Sequence, residues 1–186
     1  MAVQFTRRPF SVDEYYRMAQ VGILGEDDRV ELIEGEIIEM SPIGSRHAAC
    51  VKRLTALLGR RLGEGAILSV QDPIRLGDYS EPQPDVALLR PRADFYAGGH
   101  PAPEDVWLVI EVADTSAIID RNLKLPLYAR AGVIEVWIID LSQDLIEAHT
   151  EPSGGAYQVV RQVRRGESLA PAQLPALGVS AEAVLG

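Results

Sequence analysis

Residues 106–112, VWLVIEV, form an almost unbroken apolar run rich in β-branched and aromatic side chains. Such a run suits a strand buried on both faces, not one with a wet side. Residues 133–140, VIEVWIID, have the same character. Two strands of this kind require a sheet covered above and below, which predicts helices packed on both faces. Glu111 breaks the first run. An ionised carboxylate removed from water is costly unless it is paired, protonated or bound to a metal, so its presence there demands a reason.

The remaining pattern supplies the other layers. Ser11 followed by Glu14 is a capping box and predicts a short N-terminal helix. RVELIEGEIIEM reads as two short strands about a turn at Glu34 and Gly35. After Pro42 and Gly44, residues 45–63 place Ala49, Leu54, Leu57, Leu58 and Leu62 at near-helical spacing, with Ser45 as the cap and Gly63 at the end. Strand-like runs follow at 66–76, 84–90 and 106–112, then a helix over 116–132 that Pro126 should kink or delay. Residues 133–140 give another strand, and LIEAHT with AYQVVRQV a hairpin about EPSGG. The expected fold is α/β or α+β, a central mixed sheet flanked by helices with an N-terminal helix and hairpin, and 1–186 reads as a single domain.

The length of 186 residues allows one domain with a substantial core. Cys50 is the only cysteine, so no intrachain disulfide forms, which fits a reducing compartment. MAVQFTRRPF lacks the apolar centre of a signal peptide, and no stretch approaches the roughly 20 apolar residues of a membrane span. A cytoplasmic location with no membrane partner is expected. The net charge of −9 argues against a generic phosphate-binding surface. The charge is uneven, however: residues 52–62 and 161–165 are basic and free of acids. Their simplest reading is solvated faces of a helix and a strand.

Asp85 opens one strand and Glu111 lies toward the end of the next. If the strands are neighbours, the two carboxylates converge at one end of the sheet. Such a pair needs a cation, and hard oxygen donors suit Mg2+ or Mn2+. Lys124, on the following helix, can return to the same end as a point charge on a phosphoryl group or a water. PDVALL, VIEVADTS and DRNLKLPLYARAGVIEVWIIDL, preceded by VELIEGEIIEMSP and a helix carrying His47, closely resemble the Uma-two family. That family is a branch of the restriction-endonuclease-like PD-(D/E)XK nuclease superfamily. The resemblance runs from about residue 28 to 140. It implies a restriction-endonuclease-like core in which Asp85 and Glu111 hold the metal while a lysine assists the attacking water. The superfamily's lysine two residues after the acidic strand residue is missing, and Ala113 stands there. The resemblance implies that Lys124 takes its place and that Glu31 matches an additional acidic position.

Each residue has a plainer reading. Asp85 after a proline could be a turn residue, and Glu111 the partner of a buried arginine. Asp120 and Lys124, four apart, could form an ordinary helical ion pair, with Tyr128 continuing the same stripe. Glu31 beside Glu34 and Glu36 could be a solvated hairpin edge, and His47 a partly buried core histidine without a role. The expected activity is a metal-dependent endonuclease acting on nucleic acid, DNA before RNA, assembled as a homodimer or higher homo-oligomer. The rival expectation is a non-catalytic dimeric binding or scaffold module that retains the nuclease fold.

Overall fold

Ser11 caps the first helix, α1 (Val12–Gln20): its side chain accepts from the Glu14 N–H while the Glu14 carboxylate accepts from the Ser11 N–H. The structure, a computed structural model, describes residues 7–25, 27–114 and 120–186. Next come β1 (Val30–Ile33) and β2 (Glu36–Glu39), an antiparallel hairpin. Its turn places Glu34 at φ 51° and Gly35 at φ 78°, a left-handed pair of the kind that matches hairpin twist. Gly35 is required twice over, because a Cβ there would lie 2.3 Å from Pro9 Cβ. The turn is docked: Gly35 N–H donates to Tyr79 O at 2.7 Å, and Glu34 N–H to Ser80 Oγ at 2.9 Å.

Helix α2 (Ser45–Gly59) packs Cys50, Val51, Leu54 and Leu58 into the core. Gly44, and not Ser45, occupies the cap position, with no side-chain cap bond, and the helix ends at Gly59, four residues before Gly63. The central sheet has the order β3-β4-β5-β6-β7-β8. Its members are β3 (Ile67–Val70), β4 (Val86–Leu89), β5 (Val106–Ala113), β6 (Glu135–Asp140), β7 (Leu145–Ser153) and β8 (Ala156–Val163). β5 and β6 are parallel and every other neighbouring pair is antiparallel, so the sheet is mixed. The strand expected over 66–76 is only four residues long. Gln71, at φ 58°, turns the chain out of the ladder and Pro73 cannot donate to it.

The crossover from β5 to β6 contains a π-helical turn (Asp120–Lys124) followed by α3 (Leu125–Ala131), which ends on left-handed Gly132. Pro126 sits in the first turn of α3, where its missing N–H is harmless, so it delays the α-helix as the sequence predicts. The C-terminal segment adds a two-residue pair, β9 (Ser168–Leu169) with β10 (Val179–Ser180), and a short α4 (Ala181–Leu185).

Two apolar layers result. One joins α2 and α4 to Val86, Leu88, Leu108, Ile110, Val112, Trp137 and Ile139. The other joins α3 to Ala87, Val109, Ala113, Val136 and Ile138. From Leu108 on, the alternation assigns even positions of β5 to the first layer and odd positions to the second, while Val106, before the register shift opposite Leu88 and Leu89, lies in the second. Glu111 therefore points toward α3. No helix among the described residues is long and apolar enough to cross a membrane.

Candidate active site

The register of β4 on β5 brings the two strand carboxylates together. Val86 is paired with Ile110, so Asp85, one residue outside β4, lies across from Glu111. Asp85 Oδ2 accepts from the Val112 N–H at 2.9 Å, which ties the carboxylate to the backbone immediately after Glu111. Asp85 Oδ1 lies 2.7 Å from His47 Nε2, and Gln71 Nε2 approaches the same oxygen at 3.5 Å. His47 reaches it from the first turn of α2, and Gln71 from the bend that ends β3.

Glu111 is 3% exposed. Its Oε1 accepts from the Tyr128 hydroxyl at 2.7 Å and lies 3.5 Å from Lys124 Nζ. Lys124, the last residue of the π-helical turn, also holds Glu31 Oε2 at 3.2 Å. Glu31 in turn accepts from the Gln83 N–H at 3.1 Å, one residue before Pro84. The ammonium thus stands between carboxylates from β1 and β5. Formally, two carboxylates face one ammonium, and Asp85, across the ladder from Glu111, adds a third carboxylate at this end of the sheet.

The four residues singled out by sequence, Glu31, Asp85, Glu111 and Lys124, meet at one end of the sheet. Glu31 is buried, not a solvated hairpin edge, and the partner of Glu111 is a lysine, not an arginine. The Asp120–Lys124 ion pair falls on a side chain outside the described residues. Sequence reasoning missed His47, Tyr128 and Gln71 as contacts of the carboxylates. The spacing of His47 on α2 carries no signal for a partner 38 residues away, and Tyr128 reads equally well as core. Among the described residues, no three His, Cys, Asp or Glu side chains are grouped as a complete metal shell.

The segment bearing Lys124 is anchored from behind. Arg121 donates from Nε to Glu147 Oε2 at 2.7 Å and from Nη2 to Asp140 Oδ2 at 2.9 Å. Burial alone would raise the Asp140 carboxyl, but Ser142 and Arg121 outweigh it and hold the group below its ordinary range. Asp140 pairs with Ala113 across the parallel ladder, so this clamp lies at the same end of the sheet as Glu111.

The basic stretches are engaged elsewhere. Arg53 donates to the Val184 and Leu185 carbonyls, and Arg61 to the Gly178 carbonyl. Arg161 and Arg164 donate to the Ser168 and Gln143 carbonyls, and Arg165 pairs with Asp144 and Glu182. These arginines fasten the C-terminal segment to the body.

A mixed sheet with helices on both faces, carrying acidic residues and a lysine at one end, defines a restriction-endonuclease-like fold. A crystal structure described as "a putative nuclease belonging to DUF820 from Anabaena variabilis ATCC 29413" superposes with a TM-score of 0.72 at 18% identity. The match covers 95% of this chain and 98% of that one. The family model described as "Uma2: Putative restriction endonuclease" matches residues 12–182, and the chain belongs to that family. No curated protein matches.

Proposed function

We propose that the chain is a divalent-metal-dependent endonuclease hydrolysing phosphodiester bonds in nucleic acid, DNA in the first instance. The observation that carries this reading is the meeting of Glu31 and Glu111 on the Lys124 ammonium at the end of the sheet where Asp85 lies across the ladder from Glu111. The donor set fits magnesium or manganese: two hard carboxylates, Asp85 and Glu111, leave further positions to water and phosphate oxygens, and the formal negative excess favours a divalent cation. When bound, such a cation lowers the pKa of a coordinated water and offsets charge on the scissile phosphate.

The chain's own groups do the positioning. The Val112 N–H and His47 fix the rotamer of Asp85, and the Tyr128 hydroxyl fixes that of Glu111. Glu31 holds the Lys124 ammonium beside the carboxylates, where it can orient the attacking water or stabilise charge developing on the phosphoryl oxygens. This role matches the lysine absent at Ala113. Supercoiled plasmid incubated with magnesium or manganese should be nicked by the wild type and not by Asp85→Asn or Lys124→Met. Intact plasmid with the wild type in both metals, or equal nicking by Asp85→Asn, would overturn the reading.

A second reading, a non-catalytic dimeric module on the same fold, draws on one observation. With a net charge of −9 and most arginines of its basic stretches bound to carbonyls or carboxylates, the chain offers little free cationic surface to a phosphate backbone. The plasmid experiment separates the two.

A further inference from the structure

We infer that the outer edge of β8 is a self-association surface, on which a second copy of the chain pairs antiparallel to extend the sheet across a two-fold axis. β8 ends the sheet, and no strand pairs with its outer side among the described residues. It is eight residues long, and its register with β7 keeps one diagonal from Ser153 opposite Ala156 to Ile146 opposite Val163, interrupted only where Glu151, at φ 60°, drops out of the pairing opposite Gln158. It contains no proline, lysine or acidic residue. Val159 and Val160, on opposite faces, are 43% and 50% exposed. Exposed edges of this length are ordinarily blunted by shortness, proline, charge or bulges, and β8 has none of these protections apart from Arg161. The opposite edge, β3, is only four residues long.

Charge identifies the occupant. Two copies each carrying −9 repel across most of their surfaces, whereas β8 is a strip without acids. A two-fold axis normal to a sheet leaves each face on its own side, so residues opposite one another must share a face and the axis must pass through a residue pair. Centred on Val160, the pairing sets Arg161 opposite Val159 of the other copy. Centred on Val159, it sets Arg161 opposite Tyr157. Both registers avoid like charges, and both place identical valines in contact at the axis. Only a shift to Arg161 would bring two guanidinium groups together. β8 lies three strands from β5, so the pairing leaves the carboxylate cluster uncovered.

The geometry supplies a direct test. Opposed Cα atoms in an antiparallel ladder are about 4.5–5.5 Å apart, within the range a disulfide spans. Full-length wild type should scatter light as a species of twice the chain mass at tens of micromolar. Val159→Glu/Val160→Glu should be monomeric with an unchanged melting temperature. In mild oxidant, either Val159→Cys or Val160→Cys should give a covalent dimer, because one of the two sits on the axis. Cys50 is buried and contributes no background. Monomeric wild type, a double-glutamate variant that stays dimeric, or failure of both cysteine variants to cross-link would each overturn the inference. The cross-links keep it testable should the double variant fail to fold.

Discussion

Lys124→Met removes the ammonium that stands between Glu31 and Glu111. Both carboxylates are buried, at 4% and 3% exposure, and the ammonium sits 3.2 Å from one and 3.5 Å from the other. Methionine matches the length and apolar stem of lysine, so packing changes little and the charge is lost. Removing one member of a buried ion pair costs about 3–5 kcal/mol, because the remaining charge is left without compensation. For a chain of this size that loss lowers the melting temperature by roughly 6–20 °C. The pattern with metal is the sharper readout. A cation that binds the folded state at about 100 times its dissociation constant restores about 2.7 kcal/mol. The variant, left with more uncompensated negative charge, should bind manganese more tightly and recover more than the wild type gains. The assay is a pair of thermal melts for each protein, in chelator and in saturating manganese. Equal stability of the two proteins in chelator, or equal shifts on adding manganese, would refute the claim that Lys124 serves as the internal counter-ion of this cluster.

Calorimetric titration with manganese should show one site that weakens strongly in Asp85→Asn and in Glu111→Gln; unchanged binding in both would remove the metal assignment. Burial holds the His149 imidazole below its ordinary pKa of 6.5, so the unfolded chain takes up a proton at a pH where the native chain does not. Its contribution is complete above that value and declines as pH falls through the window below it. The drop in melting temperature between about pH 7.5 and about pH 5.5 should therefore be smaller in His149→Gln than in wild type, and identical drops would show that His149 does not control acid stability. Burial pushes the Cys50 thiol up to about 11, so native protein should resist a disulfide-exchange reagent at neutral pH and react fully once unfolded. Rapid labelling of the native chain would contradict its burial.

The fold was legible where local chemistry and burial agree. β5 and β6 announced themselves because both faces of each are covered, and the Ser11–Glu14 cap because its bonds are local. The turn at Gly35 was legible for the same reason. β3 was overestimated because its apolar pattern continues past Gln71, where the backbone turns out of the ladder to meet the Asp85 carbonyl. The end of α2 was misplaced because Gly63 looked like a stop, whereas Arg60 already closes the helix. At the site, Glu111 could be read as a charge in need of a partner, because a carboxylate in an apolar strand is costly without one. His47 could not, because its bond to Asp85 depends on where α2 crosses the sheet end. The basic residues of 52–62 and 161–165 are solvated as read, with only Arg53 partly buried, but their bonds to the Gly178, Val184, Leu185, Ser168 and Gln143 carbonyls could not be read, because those partners are distant in sequence.

One feature of the sheet also bears on time. β5 and β6 are its only parallel neighbours among the described residues, and parallel strands cannot be joined by a tight turn. The chain must leave the sheet after Ala113 and return at Glu135, and that excursion carries Arg121, Lys124 and Tyr128. The hairpins β6–β7 and β7–β8 close over a few residues, whereas the crossover requires a long loop to be ordered before its contacts form. The carboxylate cluster should therefore acquire its lysine late in folding, after the β6–β8 meander is in place. Pulse-labelled hydrogen exchange during refolding would register this as protection of the β7 and β8 amides ahead of Val112. A nascent chain would then carry the acidic half of the cluster before the cationic half, and the cluster would stay incomplete until the topology is closed.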